Sequence, residues 1–183
     1  MNQSSGVTGL PSVFGLDHAA YRCRDAQKTA DFYEGVLGFP LEAAMINEIH
    51  PTTREPLDYL HLFFNIGSAS PGVPSYLAFF DVPGYDFDHK KQWGMDLHFA
   101  MKVKDRASID AWRAHLLSRG VECDGPIDHG VCTSLYFHDP DGYRLEFIFF
   151  SEENAQAWRD EKTHARAGLS AWNERKATLA SHA

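Results

Sequence analysis

His18-Ala-Ala-Tyr-Arg-Cys-Arg-Asp25 and His98-Phe-Ala-Met-Lys-Val-Lys-Asp105 are two versions of one pattern. Each opens on a histidine, runs through a segment of strand composition with positive charge at alternate steps, and closes on an aspartate suited to cap a helix. The offset, 98 − 18 = 80, holds at Ala20/Ala100, Arg22/Lys102, Arg24/Lys104, Asp25/Asp105 and the aromatic pair Phe32/Trp112. A histidine repeated at equivalent places in two copies of one unit points to two pseudo-equivalent modules with a metal between them.

Working outward, the first copy reads as a strand over 16–23 and a helix capped by Asp25 that runs to about Leu37. Thr29, Phe32, Tyr33, Val36 and Leu37 fall at i, i+3, i+4, i+7 and i+8, one helical face, and Gly38 stops it. Strands are expected over 40–49, 58–65 and 75–81. The second copy repeats this order, with a strand over 96–103, a helix capped by Asp105 carrying Ile109, Trp112 and Leu116, and strands over 120–125, 131–138 and 143–150. Each module is therefore βαβββ. The expected fold is α+β: two such modules, 14–94 and 95–150, pair into a cupped mixed β-sheet around a metal site as a single domain over 14–150.

Sixty positions separate His18 from Ala78 and forty-eight separate His98 from Glu146, the excess falling in Pro/Gly/Ser-rich loops around 51–56 and 67–74. The first residues, 1–13, have neither a basic start nor an apolar core and read as a flexible leader. Residues 151–183, rich in Ala, Glu, Lys, Arg and Gln with Trp158, Leu169 and Trp172 widely spaced, read as a helical extension that Gly168 could divide in two. Such an extension either packs on its own domain or covers a partner subunit, so a homodimer is a candidate assembly.

Composition narrows the function. The chain has 183 residues, 44% hydrophobic and 23% charged, with a net charge of −8, which is ordinary globular material and argues against a nucleic-acid surface. No apolar run reaches the ~18 residues of a membrane span. Three scattered cysteines, Cys23, Cys123 and Cys132, fit reduced thiols in a cytoplasmic protein.

Two further stretches, "FYEGVLGFPL" (32–41) and "LYFHDPDGYRLEF" (135–147), resemble the vicinal oxygen chelate superfamily of glyoxalase I, extradiol ring-cleaving dioxygenases, fosfomycin-resistance transferases and bleomycin-binding proteins. The resemblance covers about 14 to 150. Within it, His129, Tyr136, Asp139-Pro140-Asp-Gly142 and Glu146 resemble the extradiol dioxygenase signature. It implies His18, His98 and Glu146 as ligands of one divalent metal, a set that leaves positions open for substrate and O₂. Fe(II) is the expected ion, with Mn(II), Zn(II), Co(II) or Ni(II) as alternatives.

The implied reaction is extradiol cleavage of a catechol-like diol, a small-molecule substrate, with His129 and Tyr136 as proton-transfer groups. One departure stands out: Ser75 lies where extradiol enzymes tend to carry a further histidine. His61, polar within the apolar run Leu60–Phe64, either lines the pocket in its place or is a satisfied core histidine. Glyoxalase I relatives generally carry a fourth ligand where Ala78 stands, and alanine cannot bind metal. A redox-neutral lyase, isomerase or transferase is the rival enzyme class, and a non-catalytic drug-binding protein the third reading.

Overall fold

A computed structural model describes residues 15–68, 72–84 and 96–180. The leader expected over 1–13, the end of the first module and part of the 67–74 loop lie outside the described residues. The chain divides into two compact units, Met1–Asp88 and His89–Ala183.

In the first unit β1 (His18–Cys23) leads into α1 (Ala26–Tyr33), followed by β2 (Leu41–Ile49), β3 (Pro56–Asn65) and β4 (Tyr76–Asp81). The sheet order is β1-β4-β3-β2, with β1 parallel to β4 and the other pairs antiparallel. In the second unit β5 (His98–Lys102), α2 (Arg106–Ser118), β6 (Cys123–Asp128), β7 (Thr133–His138) and β8 (Arg144–Phe149) repeat the plan as β5-β8-β7-β6. The expected βαβββ unit is thus present twice, and α3 (Glu152–Ala180) follows the second copy.

Both helix starts are built as the aspartates require. Asp25 accepts from the Lys28 N–H at 3.0 Å, and Asp105 from the Ser108 N–H at 2.8 Å and its hydroxyl at 2.7 Å. Alternation along the strands then divides each sheet into two faces. One face packs on the helix. Tyr33 of α1 is fully buried against Phe64 and Phe79, ring centroids 5.2 and 4.9 Å away. In the second unit Ile109 and Leu116 are fully buried, and Trp112 lies 4.6 Å from Phe147, which in turn meets Phe137 at 5.0 Å. The other face carries His18, Ala78 and Phe63 in one unit and His98, Glu146 and Tyr136 in the other.

Three elements differ from expectation. The first helix ends at Tyr33 and not near Leu37, continuing as tight turns closed by Gly38 at φ 70°. A Cβ on Gly35 would lie 2.3 Å from the Asp31 carbonyl oxygen, so the backbone draws in there more tightly than a helix with side chains allows. The strand expected over 120–125 lies at Cys123–Asp128, with an irregular register between Asp124 and Ile127. Gly125, at φ 117°, brings its backbone so near the Ser134 carbonyl that an added Cβ would stand 2.7 Å away. Third, α3 runs unbroken through Gly168, because one glycine costs only about 1 kcal/mol relative to alanine. Among the described residues no helix is long and apolar enough to cross a membrane.

The aromatic packing yields a direct test. Phe147 is 2% exposed between Trp112 and Phe137, so Phe147→Ala should cost about 3–5 kcal/mol in urea unfolding. A loss under about 1 kcal/mol would contradict the core assigned to this ring.

Candidate active site

The strand register explains how a histidine and a carboxylate meet. In the second unit β5 and β8 run parallel with Ala100 opposite Glu146, and in the first β1 and β4 run parallel with Ala20 opposite Ala78. Antiparallel pairing then sets Tyr136 opposite Glu146 and Phe63 opposite Ala78. Ala78 is therefore the first-unit counterpart of Glu146, as the match of Ser75-Tyr-Leu-Ala78-Phe with Tyr143-Arg-Leu-Glu146-Phe indicates, and Phe63 is the counterpart of Tyr136.

Glu146 is the centre of the second unit's open face. Its side chain is 4% exposed, and its Oε2 lies 3.0 Å from His98 Nε2. The Ser134 hydroxyl donates to Oε1 in a short hydrogen bond. Cys132 Sγ lies 3.9 Å from that hydroxyl, and burial pushes the Cys132 thiol up from its ordinary range. A buried carboxylate is costly unless hydrogen-bonded or paired with a cation. Here Ser134 fixes one oxygen and leaves the other turned to the imidazole. That donor set suits a divalent metal: a carboxylate oxygen and an imidazole nitrogen are hard-to-borderline ligands for Fe, Mn or Zn.

Tyr136 stands beside this pair. Its hydroxyl lies 3.1 Å from His129 Nε2, and the Arg144 guanidinium sits 4.0 Å over its ring. Burial, the largest effect, pushes the phenol above its ordinary pKa, and the nearby Glu146 charge adds to this. The phenol consequently keeps its proton at neutral pH and can donate it. The Asp-Pro-x-Gly segment serves geometry. Asp139 Oδ1 accepts from the Asp141 and Tyr143 N–H groups at 2.9 and 2.8 Å, and Gly142 at φ 93° closes the turn that returns the chain as β8.

In the first unit His18 hydrogen-bonds through Nδ1 to Asp17 at 2.6 Å, which orients the ring and leaves Nε2 outside that bond, the arrangement common for a metal-ligating histidine. Its ring lies 5.4 Å from Phe63 and 6.4 Å from His61. His61 stacks on Phe80 at 3.8 Å, and its buried Nε2 has no hydrogen-bond partner among the described residues. Burial, and secondarily the charge of His18, lowers its pKa below the ordinary histidine range. Register supplies the reason for the orphaned nitrogen. His61 and Ser134 each lie two residues before Phe63 and Tyr136, so both occupy the same place in their sheets. Ser134 finds a carboxylate at position 146. His61 finds Ala78. Ser75, by contrast, donates its hydroxyl to the Leu16 carbonyl at 2.9 Å and is committed to the backbone.

Of the sequence-derived residues, the structure brings together His98 with Glu146, and His129 with Tyr136; His18 and His61 are neighbours within their own unit. Within neither unit, among the described residues, do three His, Cys, Asp or Glu side chains gather around one point. Ser134 and Arg144 escaped the sequence reading. Their only signal is the alternation that puts them two positions from Tyr136 and Glu146 on the same face.

A model of the glyoxalase, bleomycin resistance protein and dioxygenase superfamily matches residues 15–147. The chain belongs to that superfamily. Members of this superfamily bind divalent metals and small molecules. The protein named "Putative ring-cleaving dioxygenase MhqA" from Bacillus subtilis (strain 168) is 29% identical over 133 residues, 73% of this chain. The match spans only 39% of that longer protein. A lactoylglutathione lyase of Neisseria meningitidis serogroup A is 28% identical over 134 residues, 73% of this chain and 88% of that one. A glyoxylase/bleomycin resistance protein/dioxygenase domain from Frankia sp. EAN1pec shares the fold, with a TM-score of 0.57 at 19% identity over 77% of this chain and 95% of its own.

Removing the serine tests the support of the buried carboxylate. Ser134→Ala should lower stability by about 1–3 kcal/mol at neutral pH, the cost of leaving a buried acceptor short of a donor. Urea unfolding of the metal-free protein measures it. An unchanged midpoint would mean that Glu146 is held by other groups.

Proposed function

We propose that this protein is a metal-dependent enzyme that cleaves the ring of a catechol-like diol beside its hydroxyl groups, using Fe(II) and O₂. The observation that carries the reading is the buried Glu146, held on one oxygen by Ser134 and facing His98 with the other, with the His129–Tyr136 pair on the adjoining strand. His98 and Glu146 would hold the metal, and the sequence repeat nominates His18, whose Nδ1 is already engaged by Asp17, as a further ligand. A bound Fe(II) would supply electron transfer to dioxygen and a positive charge that favours the deprotonated diol.

The chain's own residues then manage protons and water. His129 and Tyr136, 3.1 Å apart, form a pair in which the His129 imidazole can take a proton from a substrate hydroxyl while the phenol keeps its own. Burial keeps the Tyr136 hydroxyl protonated, so it is a donor when the opened ring needs one. His61, kept neutral by burial and carrying an unengaged Nε2, is a second base able to accept a hydroxyl proton where Ser75 cannot. Phe63 and Phe80 give it an apolar wall suited to an aromatic ring.

The redox-neutral alternative draws on the likeness to lactoylglutathione lyase, which spans 88% of that protein. Ala78 counts against it, since glyoxalase I relatives generally carry a fourth ligand at that place.

Two measurements decide. Protein loaded anaerobically with Fe(II) should bind about one ion per chain, as one two-histidine, one-carboxylate set implies, and His98→Ala should lose it. Retention of full metal by that variant would refute the ligand assignment. The loaded protein should consume O₂ with members of a catechol panel and form yellow ring-opened products. Tyr136→Phe should keep the metal while turnover falls roughly 10²–10⁴-fold, as for a lost proton-transfer group. Metal binding with no O₂ uptake across the panel would shift the assignment to the redox-neutral class.

A further inference from the structure

The described contacts that tie α3 to the second unit lie at its start. The Asn154 N–H donates to the Ser151 hydroxyl oxygen at 3.0 Å, buried Asn154 donates Nδ2–H to the Gly130 carbonyl at 2.7 Å, and the Phe150 and Trp158 rings are 6.2 Å apart. From Trp158 onward every residue whose side chain is described is exposed. Twenty-nine residues of helix extend about 43 Å at about 1.5 Å each. An isolated helix in water is marginal without an apolar face to bury.

This helix has such a face. Trp158, Lys162, Ala165, Leu169, Trp172, Lys176 and Leu179 alternate spacings of four and three residues, the seam of a coiled coil. Its large apolar members stay open to solvent, at 43% for Trp158, 53% for Leu169, 51% for Trp172 and 58% for Leu179. Charge is divided along the axis. From Glu152 to Thr163 four acidic residues face two basic ones, a balance of −2, while from His164 to Ala180 one acidic residue faces three basic ones, a balance of +2.

We propose that α3 pairs antiparallel with α3 of a second copy of this chain. The two-fold axis falls at Leu169, which meets its own counterpart. Ala165 then faces the partner's Trp172, small against large, and Trp158 faces the partner's Leu179. Glu161 lies across from the partner's Arg175, twice by symmetry, and each acidic half lies along a basic half. Gly168, beside the axis with open space at its Cβ position, lets the backbones approach there. Lys162 meets the partner's Lys176, at two layers by symmetry, and these side chains turn outward on their stems. Lys162 already lies 5.9 Å over the Trp158 ring.

The pairing is independent of the metal reading and is tested without it. Sedimentation of the full chain through a micromolar dilution series should give a dimer. Leu169→Glu, which sets two charges together in the seam, should weaken association at least about a hundredfold. Arg175→Glu alone should weaken it about fivefold to tenfold, and Glu161→Arg with Arg175→Glu should restore it. Near-ultraviolet circular dichroism checks that the sheets of each variant remain folded, and the exposed Arg175 provides a variant with no core role. A monomeric wild-type chain would overturn the proposal. So would a dimer untouched by Leu169→Glu, since its interface would lie elsewhere. Restoration failing in the double variant would overturn the antiparallel order.

Discussion

The parallel pairing of the first and fourth strands of each unit is the constraint on which the remaining features rest. A hairpin would join neighbours in sequence, but here α1 or α2 and two further strands intervene before β4 or β8 returns beside β1 or β5. That return places Glu146 in register beside the strand opened by His98, and the helix crossing behind supplies the apolar layer that fixes the sheet. Once the strands are set, the carboxylate is buried by its surroundings and the hydroxyl of Ser134 becomes necessary to it. The acid and its supports are consequences of the pairing, not additions to it.

The two units solve the same geometry with different chemistry. At equivalent places one has Glu146, Ser134 and Tyr136, and the other Ala78, His61 and Phe63. A methyl group in place of the carboxylate removes the partner that the residue on the adjoining strand would otherwise bond. The nitrogen of His61 is left buried, its proton affinity lowered by its apolar neighbours and by His18. The absent carboxylate at Ala78 and the unpartnered imidazole nitrogen of His61 follow from the same pair of positions.

Much of this was legible in the sequence because it repeats. Two histidines at one offset, two aspartates ready to cap helices and alternating apolar positions carry the βαβββ plan, and Ser75-Tyr-Leu-Ala78-Phe aligned with Tyr143-Arg-Leu-Glu146-Phe matches Ala78 with Glu146. The supports were not legible. Ser134 is twelve residues from Glu146, and only cross-strand pairing makes them neighbours. Arg144 over Tyr136 is hidden for the same reason. The boundary of β6 moved because Gly125 lets the backbone approach the Ser134 carbonyl on the adjoining strand, a contact with no local trace, while α1 ends early where Gly35 draws in on the Asp31 carbonyl four residues before it. Gly168 does not divide α3 because good helix formers such as Arg166, Ala167, Leu169 and Ala171 lie on either side of it.

The alternation of Leu145, Glu146 and Phe147 along one short strand also bears on how the cell handles faulty copies. Leu145 and Phe147 are 0% and 2% exposed against the helix layer, and Glu146 faces the opposite side. A slip of β8 by one position would drive a carboxylate into the aromatic layer and turn those apolar side chains out at once. Such a chain would be too unstable to persist and would present greasy surface to chaperones and proteases. A register slip that misplaces the carboxylate therefore destroys the protein as well, and a molecule stable enough to accumulate is one in which β8 is in register and Glu146 faces away from the helix layer.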